Sequence, residues 1–330
     1  MKSIRKIVLL TPVKNEAWIL PLFCQSASIW CDYIIIADQG SKDGSKEIAR
    51  RYPKVVVIDN DSADLDEDYR NRLLVKKARE LVGTNGILFR LDADEIFTPN
   101  FDSDEWNQIK QSEKGTVWRF RWLQLSKALG SYWEMKEWGA IYGAFVDDGR
   151  EYVSHRLIHD RDMFRSEKVC STKEICVLHF QFVDWNHMRS KHRWYQCFER
   201  INYPQKSAIE IYRLYHWMYN PKFPFKRIPS EWIYRYKDVY GISVYDYQAG
   251  KNYWWDEKVK EYFSEYTPHY FRRIETCKLR ELPIAEGKNL LDKLLLIYLR
   301  ITTTTYNQKR GRLYRLVEKV DRTLQYRWGI

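Results

Sequence analysis

The chain of 330 residues lacks most features that mark specialised protein classes. Its six cysteines, Cys24, Cys31, Cys170, Cys176, Cys197 and Cys277, form no CxxC pair. No zinc spacing and no disulfide framework follow from them, and they read as reduced thiols of a cytosolic protein. Long apolar runs are missing as well. The opening MKSIRKIVLLTPVKNE holds too short an apolar run for a signal peptide. The most apolar later stretch, LLDKLLLIYL (290–299), is short and contains Asp292 and Lys293. It cannot span a bilayer, and it suits an amphipathic helix on a core or on a membrane surface. No internal repeat and no low-complexity tract is visible.

Aromatics and positive charge are abundant, and both are unevenly spread. Of 14 Trp, 12 lie after residue 105. Residues 1–100 hold 15 basic and 15 acidic side chains, residues 101–185 carry −2, and residues 186–330 carry +13. The net +11 is therefore a property of the last part of the chain. A basic, aromatic-rich segment suits an anionic partner or, equally, a solvated helical surface.

Hydrophobic runs alternate with helical patterns through the first hundred residues. KIVLL (6–10), DYIIIAD (32–38), KVVVID (54–59) and ILFRLD (87–92) read as strands buried on both faces. NEAWILPLFCQSAS (15–28), with Pro21 bending it, SKDGSKEIARRY (41–52) and YRNRLLVKKARELV (69–82) read as a helix, a turn leading into a helix, and a helix. This order predicts βαβ units and a mostly parallel sheet with helices on both faces. GTVWRFRWLQL (115–125), AIYGAFV (140–146) and CVLHFQFVDW (176–185) add strands without clear helices between them, as a mixed part of the same sheet. From 186 the pattern is helical. The expected domains are 1–185, split into a ligand half (1–100) and an acceptor half (101–185), and a helical extension 186–330.

In such sheets ligands bind beyond the carboxyl ends of the strands. Thr11 follows the first strand, Asp38 ends the second and Asp92 ends the fourth. Asp92 and Asp94 point to one side while the chain stays extended. Two carboxylates there repel each other unless a cation lies between, and a divalent metal carrying phosphates answers that need. The bland reading is an acidic loop capping a strand.

TPVKNE (11–16), DQGSKDGS (38–45), YRNRLL (69–74) and LDADE (91–95), in this order, resemble the family 2 glycosyltransferases with their GT-A, Rossmann-like nucleotide-diphospho-sugar fold. Two departures stand out: Gln39 replaces the second Asp of the usual D-D-G-S motif, and Tyr69 replaces the Ala of A-R-N. The resemblance is specific over about residues 5–100 and weaker to about 195. It implies Thr11 and Glu16 lining the nucleotide pocket and Asp38 accepting a hydrogen bond from the imide N–H of uracil or thymine. It places Arg70 near base or phosphates, Asp92 near ribose and metal, and Asp94 as main ligand of Mn²⁺ or Mg²⁺. The Gly40–Ser41 and Asp43–Gly44 pairs read as turn chemistry or helix capping.

The acceptor side is less defined. In FVDDGREYVSHRLIHD (145–160), Asp148, Asp147 and Glu151 are the candidate bases that take the acceptor's proton, against a charged hairpin as the plainer reading. His179 interrupts an apolar strand and is either a satisfied core histidine or, by the resemblance, a group reaching metal or diphosphate. Lys191 and Arg193 offer charge to the leaving diphosphate, or simply line an exposed helix. His155 and His159 read as structural or acceptor-side residues. A haloacid-dehalogenase-type phosphatase would place its Asp-x-Asp after the first strand, and a nucleotidylyltransferase would want a Gly-rich basic loop there. A nucleic-acid-binding protein would leave the aspartates unexplained. An inactive relative serving as a binding module stays open. The resulting expectation is a cytoplasmic, metal-dependent, inverting transferase. It would take a UDP- or dTDP-sugar to a saccharide or lipid-linked acceptor in surface glycan synthesis. Reversible contact with anionic membrane is expected through the extension and its Trp194, Trp217, Trp232, Trp254, Trp255 and Trp328, and no nucleic acid is expected.

Overall fold

The computed structural model describes residues 5–62, 66–126, 129–134, 140–152, 163–219, 225–248, 250, 253–275 and 288–328, with the side chains of 327 and 328 excepted. His155, His159 and Cys277 lie outside the described residues. The chain divides into two compact units, Met1–Asp184 with Phe225–Ala249, and Trp185–Pro224 with Gly250–Ile330.

The first unit opens with β1 (Ile7–Val13), α1 (Leu20–Trp30), β2 (Tyr33–Asp38), α2 (Ser45–Ala49), β3 (Val55–Asp59), α3 (Glu67–Val82) and β4 (Ile87–Arg90). These strands pair in the order β3-β2-β1-β4, all parallel. Alternate residues of each apolar run serve opposite faces. Leu9, Ile34, Ile36 and Phe89 pack with Leu20, Phe23 and Trp30 of α1. Val8, Leu10, Ile35 and Leu88 pack with Leu74, Val75 and Ala78 of α3. Pro21 does not bend α1. It sits in the first turn, where its missing N–H has no intrahelical partner to lose. Thr11 does not follow β1 but lies inside it, paired with Ile36, because the strand continues through Pro12 to Val13.

The remaining strands form the mixed part. They are β5 (Glu95–Phe97), then after α4 (Asp104–Gln111) β6 (Val117–Leu125), β7 (Ser131–Glu134), β8 (Ala140–Val146) and β9 (Val169–His179). β8 joins β4 antiparallel, β6 joins β8 antiparallel, and β9 runs parallel to β6 and antiparallel to β5. So β6 and β9 point the same way as β4, and His179, opposite Gln124 and Glu95, reaches the same edge as the carboxyl end of β4. A Cβ on Gly143 of β8 would lie 2.3 Å from the Phe120 ring of β6, so this strand pair requires glycine there.

The chain then enters the second unit through α5 (Trp185–Asn202) and α6 (Ala208–Tyr215), and returns to the first with β10 (Lys226–Arg227), α7 (Ser230–Tyr234) and a π-helical turn, Arg235–Val239. β10 extends the sheet antiparallel to β7. Tyr236 is fully buried, faces Ser26 Oγ at 2.9 Å and donates its hydroxyl to the Phe97 carbonyl at 2.5 Å.

The second unit is completed by α8 (Trp254–Tyr270), α9 (Leu290–Asn307) and α10 (Gly311–Trp328). Its aromatics are largely spent inside. Trp194 packs at a tilt against Tyr195, Phe198 and Trp254, and Trp255 meets His187 edge-on. Trp194 and Trp255 are buried, so they are not the membrane-facing residues expected of them. Burial beside Tyr212 pushes the His216 imidazole down to about 4, and the ring is neutral near pH 7.

Candidate active site

The carboxyl edge of the parallel strands collects the polar residues. A cavity of about 330 Å³ opens at the ends of β1, β2 and β3, lined by Lys14, Asp38, Gln39, Lys46, Asp59 and Asn60 among others. Asp38 is its buried wall. One oxygen, Oδ1, accepts from the Ser41 N–H at 3.1 Å and lies 3.6 Å from Lys46 Nζ. Oδ2 has no hydrogen-bond partner among the described residues, and neither has the buried Thr11 Oγ1. Buried polar atoms seldom stay unpaired, so a carboxylate oxygen at a cavity wall asks for a ligand donor.

The loops above this cavity are laced by short side chains. Asp43 accepts from the backbone and hydroxyl of Ser45 through Oδ1 and from the Ala17 N–H through Oδ2. Ser41 Oγ accepts from the Asn15 N–H, and Ser45 Oγ from the Glu16 N–H. The DGS turn therefore positions the TPVKNE loop, and Asn15 takes the left-handed φ of 56° that Asn tolerates better than most residues. Glu16 directs its carboxylate to the Trp18 indole at 2.7 Å. Arg70, in the first turns of α3, bonds Glu67 at 2.9 Å, and its Nε is buried without a partner among the described residues.

After β4 the chain turns instead of staying extended, with the Glu95 N–H bonded to the Asp92 carbonyl. The two aspartates are thereby separated in environment. Asp92 is half-exposed and accepts from the buried Arg90 at 2.8 Å. Asp94 is buried, with Oδ2 3.3 Å from His179 Nε2. His179 Nδ1 meets Gln124 Oε1 at 2.7 Å, and its ring stacks on Trp122. With Nδ1 held by an amide oxygen, Nε2 is aimed at the carboxylate, and either a proton or a cation between them satisfies both. Glu95, fully buried, holds the turn by accepting from the Asp92 N–H and the Trp122 indole.

The donor set fits a hard divalent cation in part. One oxygen and one nitrogen ligand stand together, and among the described residues no group of three or more metal-ligating side chains occurs. Phosphate oxygens and water would have to complete the shell.

The candidate bases fall elsewhere. β8 runs antiparallel to β4, with Val146 opposite Ile87, so Asp147 and Asp148 emerge beyond the amino end of β4. The Asp147 N–H bonds the Gly86 carbonyl there. That is the edge of the sheet opposite Asp38 and Asp94. Asp147 is buried in a two-pronged pair with Arg79, at 2.9 and 2.7 Å. Partial burial raises the Asp148 carboxyl, but the Arg150 gripping it outweighs that and holds it below the usual carboxylate range. Glu151 follows and is exposed. Acids after a strand read as catalytic from sequence, which carries no sign of the strand's direction. Lys191 belongs to the second unit, with its ammonium 5.7 Å from the Trp255 ring, and Arg193 is paired with Asp256. Arg90, Glu95, Gln124 and Trp122 stand around Asp92, Asp94 and His179 without a role assigned from sequence. Arg90, a charge inside an apolar run, and Glu95, the last acid of LDADE, stand out there, and Gln124 and Trp122 do not.

No protein-family model and no curated protein matches the chain. Among solved structures it is similar to glucosyl-3-phosphoglycerate synthase from Mycobacterium tuberculosis in complex with Mn²⁺, UDP and glucosyl-3-phosphoglycerate. The identity is 20% and the TM-score 0.27, over 36% of this chain and 44% of that one. It is also similar to a mannosyltransferase from Pyrobaculum calidifontis in complex with GDP-Man and Mn²⁺, at 9% identity and TM-score 0.41, over 99% and 88% of the chains. HddC from Yersinia pseudotuberculosis gives 10% and 0.31, over 52% and 92%. The chain spans less than half the length of the mycobacterial enzyme. Likeness this distant leaves the activity to be argued from the residues.

Proposed function

We propose that the protein is a metal-dependent glycosyltransferase of the GT-A, family 2 type. It takes a sugar from a UDP- or dTDP-sugar to a saccharide or lipid-linked acceptor of surface glycan, with inversion. The observation that carries this reading is Asp38: a buried carboxylate oxygen without a partner among the described residues, in the wall of a cavity at the carboxyl edge of a parallel sheet. The imide N–H of a pyrimidine supplies the donor that this oxygen lacks. Thr11 and Glu16 belong to the loop and strand beside it, and Arg70 offers its guanidinium to base or phosphate.

Asp94 and His179 would hold the cation, with Asp92 beside ribose and metal. When bound, Mn²⁺ or Mg²⁺ neutralises charge on the diphosphate leaving group. Gln124 and Trp122 fix the imidazole, and Glu95 fixes the turn that presents Asp94. Arg90 holds the Asp92 carboxylate in place. Asp147 and Asp148 take no part, so the group receiving the acceptor proton belongs to the carboxyl edge.

The test is a panel of nucleotide sugars in a donor-hydrolysis assay with and without Mn²⁺, beside calorimetry with UDP and TDP. Metal-dependent hydrolysis of one donor is expected. Asp94→Asn should abolish metal-dependent nucleotide binding in a folded protein. Asp38→Asn should weaken UDP or TDP by roughly 1–3 kcal/mol, the cost of mispairing a buried polar group. Unchanged affinity in both variants would refute the site, and tight GDP binding without UDP or TDP would refute the pyrimidine.

A further inference from the structure

The α9–α10 pair of the second unit has an apolar face that its own fold does not cover. In α9, Leu295, Leu296 and Leu299 are buried with Ile209 and Tyr212 of α6. Leu290, Leu294, Ile297 and Ile301 follow one another at spacings of four, three and four, and so share the opposite face. All four are exposed, Leu290 at 72% and Ile301 at 74%.

α10 can be oriented by its bonds. Asp321 pairs with Arg213 of α6, and Gln325 donates to Ser207, the residue capping α6. Tyr314 meets Tyr306 of α9, and the Tyr298 hydroxyl donates to the Val317 carbonyl. Continuing round the helix at about 100° per residue, Leu313 and Leu316 fall beyond the α9 contact, on the side turned away from α6. They are 69% and 58% exposed. The leucine stripes of both helices thus share the face remote from the unit's core.

Exposed cations flank the stripes: at about 100° per residue, Lys293 lies about 70° from the α9 stripe, and Arg312 and Lys319 lie about 40° and 60° from Leu316 on α10, with Arg315 beyond them. The acids of the same helices are accounted for: Asp292 and Asp321 are buried against Arg273 and Arg213, and Glu318 bonds Arg322. This charge pattern selects the occupant. Two copies meeting through the same patch would bring these cations against their own kind. An anionic lipid surface takes the leucines at its acyl boundary while the basic side chains reach its phosphates. No described helix is long and apolar enough to cross a membrane, so the contact lies in the plane of the surface.

We propose that α9 and α10 form a peripheral seat for anionic phospholipid, with Leu290, Leu294, Ile297, Ile301, Leu313 and Leu316 at the acyl boundary and the flanking Lys and Arg at the headgroups. This stands independently of the proposed sugar transfer. The test is co-sedimentation of the full chain with phosphatidylcholine vesicles, with and without phosphatidylglycerol, at low and high salt. Binding is expected only with phosphatidylglycerol, and to weaken in high salt, where such attraction is screened. Leu294→Glu/Ile301→Glu and, separately, Arg312→Glu/Arg315→Glu/Lys319→Glu should each lower the partition roughly tenfold or more. Circular dichroism should stay unchanged, because these side chains are exposed. Equal recovery in solution with both vesicle types at low salt overturns the proposal, as does undiminished binding by either variant. A dimer in sedimentation velocity that Leu294→Glu/Ile301→Glu dissolves would assign the face to a second copy instead.

Discussion

Asp147 shows how fully one partner can occupy a carboxylate. Its two oxygens meet Arg79 at 2.9 and 2.7 Å, and the Gly149 N–H donates to one of them as well. The pair spans α3 and the end of β8, so it ties a helix to the sheet. Deleting one partner of a buried pair leaves an uncompensated charge, at a cost of about 3–5 kcal/mol. Asp147→Ala should therefore shift the urea midpoint strongly while the folded fraction keeps its nucleotide affinity. A variant of normal stability with lost affinity would return Asp147 to the site. Asp94 differs in that its neighbour is an imidazole fixed by Gln124, a group whose nitrogen can ligate as well as pair.

At the scale of elements, direction matters more than identity. β8 and β4 are neighbours with acids at one end of each, but antiparallel pairing sends those ends to opposite edges. β9, parallel to β6, carries His179 to the carboxyl edge. The β6–β8 contact that sets this arrangement depends on Gly143, whose missing Cβ makes room for the Phe120 ring. Gly143→Ala should cost about 1–3 kcal/mol, as overpacking does. Phe120→Leu should restore part of it in the double variant. Thermal melts of the four proteins check this, and additive losses would show that the ring is not the cause.

For the whole molecule, the path of the chain decides what can be cut. Residues 225–249 return to the first unit after the chain has visited the second. Tyr236, Ile242 and Val244 are buried there beside Leu22, Ile96 and Leu178. Burying each such side chain contributes roughly 1.5–3 kcal/mol, and a domain's net stability is only about 5–15 kcal/mol. A chain truncated after residue 185 should therefore be insoluble or molten, with lost near-UV dichroism. A soluble, cooperatively melting 1–185 fragment would show that the returning segment is dispensable.

Periodicity by itself determined β1 to β4, α1 and α3, because a strand buried on both faces needs a continuous apolar run and a covering helix needs one stripe. Punctuation determined the carboxyl-edge residues Asp38, Asp92 and Asp94, since polar side chains at the ends of such runs have few other places to go. Short strands such as β5, β7 and β10 left no pattern, being too short for a period to show. Tertiary structure alone decided that Asp94 meets His179, 85 positions away in sequence, because a register between β5 and β9 sets that contact. It also decided that Asp147 and Asp148 stand at the edge opposite Asp38 and Asp94, and that Trp194 and Trp255 turn inward while Leu290, Leu294, Leu313 and Leu316 turn out. Each of these depends on which strand or helix lies alongside, and side-chain spacing within one segment carries no record of its neighbour.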